Sequence, residues 1–481
     1  MIQNDKYQVV IGLEVHAQLL TKSKLFCSDS TAYGAEPNTQ VSPISLAHPG
    51  TLPRMNKKAI ELAVRLGLAL HCEIEQHNYF ARKNYFYPDL PKGYQVSQHT
   101  APICKGGYLS IKAAGESKQV KLNRIHLEED AGKSIHDADE HYTCIDLNRA
   151  GVPLLEIVTE PDLHSAEEAF AFLTELRKIV RWLDVCDGNM EEGSMRCDAN
   201  ISIRLKGETS LGKRVEVKNL NSIRNVKKAI EIETERLINI VERNEIIIQE
   251  TRSFDAGSNT TFSLRSKEEA DDYRYFPEPD LPPFFITENY IQEISDALPV
   301  LPEQLKAKYI ETFSLTEYDA ATICNDKEDM LFFEKLIQQS PHAKAAANWL
   351  LGPLKFYCNE NSISIRAFPL KHSVIAELIS LTESNQVNFN NASSKILQAL
   401  IDAPGKTAIK VARDLNLLQE SDTTAVETWV NQVMMSMPEK IKEYKTGKKG
   451  LMGLFAGEVK KLSKGKADMQ MVNKILLEKL N

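Results

Sequence analysis

The apolar residues of this chain change their period partway along it. From residue 8 to about 285 they recur every second position in short runs punctuated by Gly and Pro, the pattern of an antiparallel α+β domain. The segment PEPDLPPFF (277–285) then interrupts regular structure, and beyond it the apolar spacing is that of packed helices. A first domain over 1–295 and a helical domain over 296–408 are therefore expected, with APGKT (403–407) as a second break and a small helical domain over 409–481. A chain of 481 residues is too long for one ordinary core, which agrees with several domains.

Within the first domain, VVIGLEVHAQL sets Val9, Ile11, Leu13 and Val15 against Glu14, His16 and Gln18, so a strand places Glu14 and His16 on one face. DANISIRL does the same for Asp198, Asn200, Ser202 and Arg204, and the turn-rich KGETSLGK leads into RVEVK as a hairpin presenting Arg214, Glu216 and Lys218. A solvated sheet face explains such strands as readily as a site does. Glu156 is different: it lies inside PLLEIV, where an ionised carboxylate needs a cation, a metal or donors. HLEEDAGK adds Glu128, Glu129 and Asp130 at a strand end, suited to an exposed turn or a divalent-metal loop. In ARKNYFYPDLPKGYQ, Arg82, Lys83 and Lys92 alternate with Tyr85, Phe86, Tyr87 and Tyr94, a mixture that holds phosphates and stacks bases or simply packs a core. SAEE, with Ser165 as N-cap and Glu168 three residues on, opens an amphipathic helix marked by Leu173, Leu176, Val180 and Leu183.

No GxxxxGK[ST] loop, HExxH, paired CxxC or GxSxG elbow occurs. The remaining toolkit of acids, a histidine and lysines suits magnesium and phosphate chemistry. Eight scattered cysteines fit a reducing compartment. No apolar run approaches the roughly 18 residues needed to span a bilayer, and the N-terminus has no targeting pattern, so no membrane association and a cytoplasmic protein are expected. The net charge of -8 excludes a protein that coats nucleic acid indiscriminately. Residues 438–481 nevertheless carry 11 lysines against four Glu and one Asp, with GKKG and SKGK at turns, which makes either a solvated helix surface or a local RNA-backbone contact.

The segments GLEVHAQL, KLFC, HPGTLPRMNKKAIELA, RKNYFYPDLPKGYQ, HLEEDAGK, DLNRAGVPLLEIVTEPD, MEEGSMRCDANIS, EVKNLNS and DDYRYFPEPDLP together closely resemble the GatB/GatE family of glutamyl/aspartyl-tRNA amidotransferase B subunits. The last 180 residues match more loosely, through NWLLGPL and SKGKAD. The resemblance implies a cradle-like catalytic domain, a helical domain and a YqeY-like tail that binds tRNA. It implies a bacterial-type heterotrimer in which the chain joins an amidase and a small third protein, the A and C subunits of the amidotransferase. The implied activity is a ligase reaction: ATP phosphorylates the side-chain carboxylate of Glu-tRNA(Gln) or Asp-tRNA(Asn), and ammonia then converts it to the amide. Carried over by motif, Glu14, His16, Glu129, Glu156 and Asp198 are the expected ligands of Mg2+ or, given the histidine, Mn2+. Glu14, Glu129, Glu156, Lys83 and Lys218 are the expected catalytic set, the two lysines contacting phosphate or lining the ammonia route. Arg82, Lys83, Asp198, Asn200 and Arg204 are expected to hold ATP and its metal. Two departures stand out. Where many relatives carry the CPVC half of a zinc knuckle, this chain has Ser42, Pro43, Ile44 and Ser45, so no zinc is expected; and its tail reads KKLSKGKADM rather than MKxxKGKANP.

Overall fold

The computed structural model describes residues 6–266, 273–419, 423–463 and 466–480. Asp271 and Asp272 of DDYRYFPEPDLP and Lys464 and Gly465 of SKGK lie outside the described residues. Two compact units divide at Leu301/Pro302.

The first unit is α+β. Its strands are β1 (Tyr7–Gln18), β2 (Ala81–Asn84), β3 (Tyr94–Ser97), β4 (Tyr108–Ala113), β5 (Glu116–Glu129), β6 (Pro153–Thr159), β7 (Met195–Leu205), β8 (Val215–Lys218), β9 (Glu250–Asp255) and β10 (Thr260–Ser266). Among the described residues the main sheet has ten strands. Its order is β10-β9-β8-β7-β1-β6-β5, continued by the two-residue strands Cys104–Lys105 and Glu73–Ile74, with β4 paired to another stretch of β5. All of these pairings are antiparallel except β8 with β9.

Register decides what this sheet can do. Glu14 stands opposite Asp198 and Val158, His16 opposite Glu156, Glu156 opposite His126, and Asn200 opposite Glu216. Each of these pairs joins residues of the same parity. Because side chains alternate along a strand, even-numbered residues of β1, β6, β7 and β8, and of β5 from Arg124 onward, share one face and odd-numbered ones the other; before a register shift at that point, Val120 and Leu122 of β5 face the core. The odd face is the core: Leu13, Val15, Ile125, Leu127, Leu155, Ile157, Ala199, Ile201, Val215 and Val217 are all fully buried. Helices α1 (Lys57–Ala69), α2 (Ala166–Trp182) and α3 (Ile223–Glu242) contribute their apolar stripes to the same core, among them Leu66, Phe172, Leu173, Leu176, Ala229 and Ile230. Gly67 lets α1 lie close to the sheet, since a Cβ there would sit 2.4 Å from Cys104 Sγ. The capping box appears as the sequence suggests: Ser165 Oγ accepts from the Glu168 N–H at 3.1 Å, although Glu168 reaches back to His164 N–H and Leu183 is the C-cap rather than part of the helix.

The second unit is helical, from Pro302–Phe313 to Met469–Leu480. Its last part encloses a cluster of its own, in which Val426, Val430, Phe455, Val459, Val472 and Leu476 are fully buried. No described helix is long and apolar enough to cross a membrane.

Candidate functional site

The even face of the main sheet carries two groups of metal-ligating side chains. In the first, one ligand atom from each of His16, Glu128 and Glu156 lies within 4.8 Å of the others. His16 Nε2 is 3.5 Å from Glu156 Oε2 and 3.9 Å from Glu128 Oε1. A second imidazole, His126, backs the pair at 3.2 Å from Glu156 Oε2 and 3.4 Å from Glu128 Oε2. Burial disfavours charge on both imidazoles, yet the carboxylates hold His16 above its ordinary pKa and push His126 up to about 9. Burial alone would raise Glu156; instead His126 and His16 keep it well below the usual carboxylate range. A carboxylate inside PLLEIV is expected to need a cation, a metal or donors, and two histidines stand within 3.5 Å of it.

The second group, Glu14, Asp198 and Glu216, lies within the same mutual distance. Asn200 Nδ2 donates to Glu14 Oε1 at 2.8 Å, and Lys218 Nζ bonds Asp198 Oδ2 and stands 3.4 Å from Glu216 Oε1. Burial opposes the charge on Lys218, but Asp198 and Glu216 raise its pKa strongly. A cavity of about 480 Å3 opens at this end, lined by Gly12, Glu14, Asn200, Ser202, Lys213 and Arg214. Its loop is pinned at Gly212, where a Cβ would fall 2.2 Å from Ile203 O.

Lys83 belongs to the same neighbourhood from another direction. It lies on β2, with Nζ 4.9 Å from the Tyr273 ring and 5.8 Å from the Tyr85 ring. Burial works against its charge, while Tyr275, Glu128 and Glu156 keep its pKa above the ordinary lysine value.

Three expected residues stand elsewhere. Glu129 is odd-numbered and turns to the opposite side, where Oε1 accepts from Lys92 Nζ and from the Val96 N–H at 2.8 Å. It lines a separate cavity of about 240 Å3 with Lys24, Phe26, Cys27, Lys92 and Glu278. The structure therefore puts Glu128, not Glu129, beside His16 and Glu156. Arg82 is held by Glu278 through two bonds of 2.7 Å and by Asp280 at 3.0 Å, and stacks 4.1 Å over Tyr94. Arg204 lies beyond the acid groups on β7, bonding Gln8 Oε1 and Thr209 O at 3.0 Å. At the segment expected to lack a zinc site, Cys27 Sγ lies 3.3 Å from Ser45 Oγ, which in turn bonds Asp29.

Glu128, Glu216 and His126 are the members that sequence reasoning left out of the site. Same-face parity was the available signal, since 126 and 128 share a face, as do 216 and 218. Asp130, the last acid of the HLEED run, is buried and structural: Arg196 Nη2 and Gln18 Nε2 each donate to its Oδ2 at 2.8 Å.

Two carboxylates and an imidazole fit a divalent ion, with the nitrogen favouring Mn2+ relative to an all-oxygen site. A model of the GatB/GatE catalytic domain matches residues 9–292, and a second, described as a GatB domain, matches 331–480. The chain belongs to the GatB/GatE family. It is 46% identical to the B subunit of the aspartyl/glutamyl-tRNA(Asn/Gln) amidotransferase of Thermodesulfovibrio yellowstonii, over 98% of this chain and 99% of that protein. Proteins of the same name from a Geobacter species and Persephonella marina are each 47% identical, over 99% of this chain and 99% and 100% of their own lengths.

Proposed function

We propose that this chain is the ATP-using, tRNA-binding subunit of a tRNA-dependent amidotransferase, acting on Glu or Asp esterified to tRNA(Gln) or tRNA(Asn). The observation that carries the reading is the even face of the sheet, where two metal-competent acid groups adjoin half-buried lysines. A free carboxylate is a poor electrophile, so ammonia displaces its oxygen only after activation. The substrate's carboxylate oxygen attacks the γ-phosphorus, the bond to the β–γ bridging oxygen breaks, and ADP leaves. Ammonia then attacks the acyl carbon of the mixed anhydride, and hydrogen phosphate departs with one of its protons.

His16, Glu128 and Glu156 would hold one Mg2+ or Mn2+, and Glu14, Asp198 and Glu216 a second. When bound, such ions offset the charge of the triphosphate and of the developing transition state. Lys83, held between Tyr273 and Tyr85, supplies a fixed positive charge facing Glu128 and Glu156. Lys218 is oriented by Asp198 toward the second group. The cavity beside Glu14, edged by Lys213 and Arg214, has the volume of a small-ligand site and suits the nucleotide. No glutaminase motif is present, so ammonia comes from a separate amidase, with a small third protein completing a cytoplasmic heterotrimer. The lysines of the C-terminal helices contact the tRNA backbone.

The test uses the reconstituted complex with misacylated tRNA, ATP, Mg2+ and ammonium chloride in place of glutamine. ADP and amidated aminoacyl-tRNA are expected in equal amounts. A complex that amidates without ATP, or that releases neither product, overturns the reading.

A further inference from the structure

Two buried donors on the even face of β5 lack partners. Arg124 Nε and His126 Nδ1 are both shielded from solvent, and neither has a hydrogen-bond partner among the described residues. They belong to consecutive same-face positions, roughly 7 Å apart along the strand. His126 turns Nε2 to Glu128 and Glu156, which leaves Nδ1 directed away from both carboxylates.

Neighbouring acids are already engaged. Arg124 stands opposite Val158 on β6 and opposite Lys105 on its other side, and Lys105 is paired with Glu75. Glu160 accepts from Asn123 Nδ2 at 2.8 Å. Within electrostatic reach of both lies His99, whose ring stacks on Tyr275 at 4.1 Å between centroids and 8° between planes. Burial first, and then the charges of Arg124 and His126, lower the pKa of His99, as expected where positive charge is under-compensated.

Leaving a buried donor unpaired costs free energy, and native structures seldom tolerate it without a water, an ion or a ligand to complete the bond. A guanidinium beside an imidazole favours oxygen anions, because its planar fork matches carboxylate and phosphoryl geometry. We propose that Arg124 and His126 Nδ1 together receive an oxyanion of the reacting pair, either a phosphoryl oxygen of the nucleotide or the side-chain carboxylate of the aminoacyl group. This assignment rests on the phosphorylation reading above. The corner adjoins the His16, Glu128 and Glu156 group through His126 itself, so an oxyanion bound there lies at the edge of the reaction zone. Arg124 keeps its charge at any working pH, and it can hold one anion against the repulsion of the other.

The reconstituted complex is compared with its Arg124→Gln and Arg124→Lys variants. Loss of the charged bond should lower kcat/KM for ammonia-dependent amidation by roughly 10- to 100-fold in Arg124→Gln, with partial recovery in Arg124→Lys, which keeps the charge without the fork. Two arms separate the sources of the oxyanion. If it is phosphoryl, affinity for a non-hydrolysable ATP analogue falls in the absence of tRNA. If it is the aminoacyl carboxylate, that affinity is unchanged, while KM for aminoacyl-tRNA rises and binding of deacylated tRNA stays the same. Wild-type values in both arms, with a wild-type melting curve, mean that only water completes these donors and overturn the proposal. If Arg124→Gln fails to fold, Arg124→Lys is read by the same criteria. A wild-type complex that makes no ADP would defeat the phosphorylation reading instead; the anion site is then judged by pyrophosphate binding to wild type and variants, and equal affinities overturn it.

Discussion

Neutralising Glu128 and Glu129 one at a time should have opposite consequences, although the two are adjacent. Glu128→Gln removes one of two carboxylates from the group formed with His16 and Glu156. Metal affinity should fall by at least about 10-fold, as losses around metal ligands commonly do. Part of the His126 ion pair is lost, but His126 keeps Glu156 at 3.2 Å and a glutamine carbonyl can still accept the Ser97 hydroxyl bond, 3.1 Å in the native chain, so the fold loses less than at Glu129. A melting shift within about 2 °C is expected. Glu129→Gln instead breaks an ion pair whose side chains are only 5% (Glu129) and 15% (Lys92) exposed. Breaking a fully buried pair costs about 3–5 kcal/mol. Lys92 keeps some solvent and lies near the rings of Phe26 and Tyr94, at 5.7 and 5.4 Å, which reduces the cost to about 2 kcal/mol. For a unit of this size that is a fall of about 4–6 °C. The assays are Mg2+ or Mn2+ titration of ammonia-dependent amidation and thermal unfolding of each variant. The parity argument fails if Glu129→Gln shifts the metal dependence and Glu128→Gln leaves it alone.

Arg82→Leu strands the buried Glu278 carboxylate and should cost about 2–4 kcal/mol in urea unfolding; a large rise in KM for ATP without loss of stability would restore Arg82 to the nucleotide site. His126 makes metal-free stability pH-dependent. Its folded pKa of about 9 lies above the unfolded value of 6.5, so its contribution is fully present below pH 6.5, declines as pH rises, and is lost above about 9. His126→Gln should flatten the unfolding free energy across that window, and an unchanged slope would show that the Glu156 and Glu128 contacts do not hold its proton. In the tail, Lys448 pairs with Glu443 at 3.0 Å and Lys449 lies 4.3 Å over Tyr444. Replacing both lysines with Ala should reduce the slope of log tRNA affinity against log salt by about 1–2, whereas an unchanged slope would make them solvated surface.

Strand faces were legible in the sequence because alternation is a local property. β1, β7 and β8 present the polar residues their patterns announce, and Glu156, whose apolar flanks demand a cation, a metal or donors, has two imidazoles beside it. Adjacency is not local. Nothing in HLEEDAGK says which acid faces the metal group until β5 is registered against β6, with Glu156 opposite His126. The error over Glu129 was a one-residue slip, and in a strand one residue is a change of face. Arg82 failed for a similar reason: its partner Glu278 is 196 positions away, and a basic residue among aromatics looks the same whether it awaits a phosphate or already holds a carboxylate.

The even face also explains why this chemistry suits a broad antiparallel sheet. Joining two anions, a carboxylate and a triphosphate, requires positive charge at several fixed points, without the ligands of one point neutralising another. A single loop would bring acids and bases within bonding range of each other. Neighbouring strands instead set paired residues about 5 Å apart and same-face residues roughly 7 Å apart along each strand. Here that spacing lets Lys218 pair with Asp198, while Arg124 stays separated from Glu14 by Val158 on the intervening strand. The same rigidity makes the rows interdependent. Glu156 is shared by His16 and His126, so removing either imidazole changes the charge felt by the other, and double substitutions across this row should be non-additive where substitutions at Glu156 and Glu278 add.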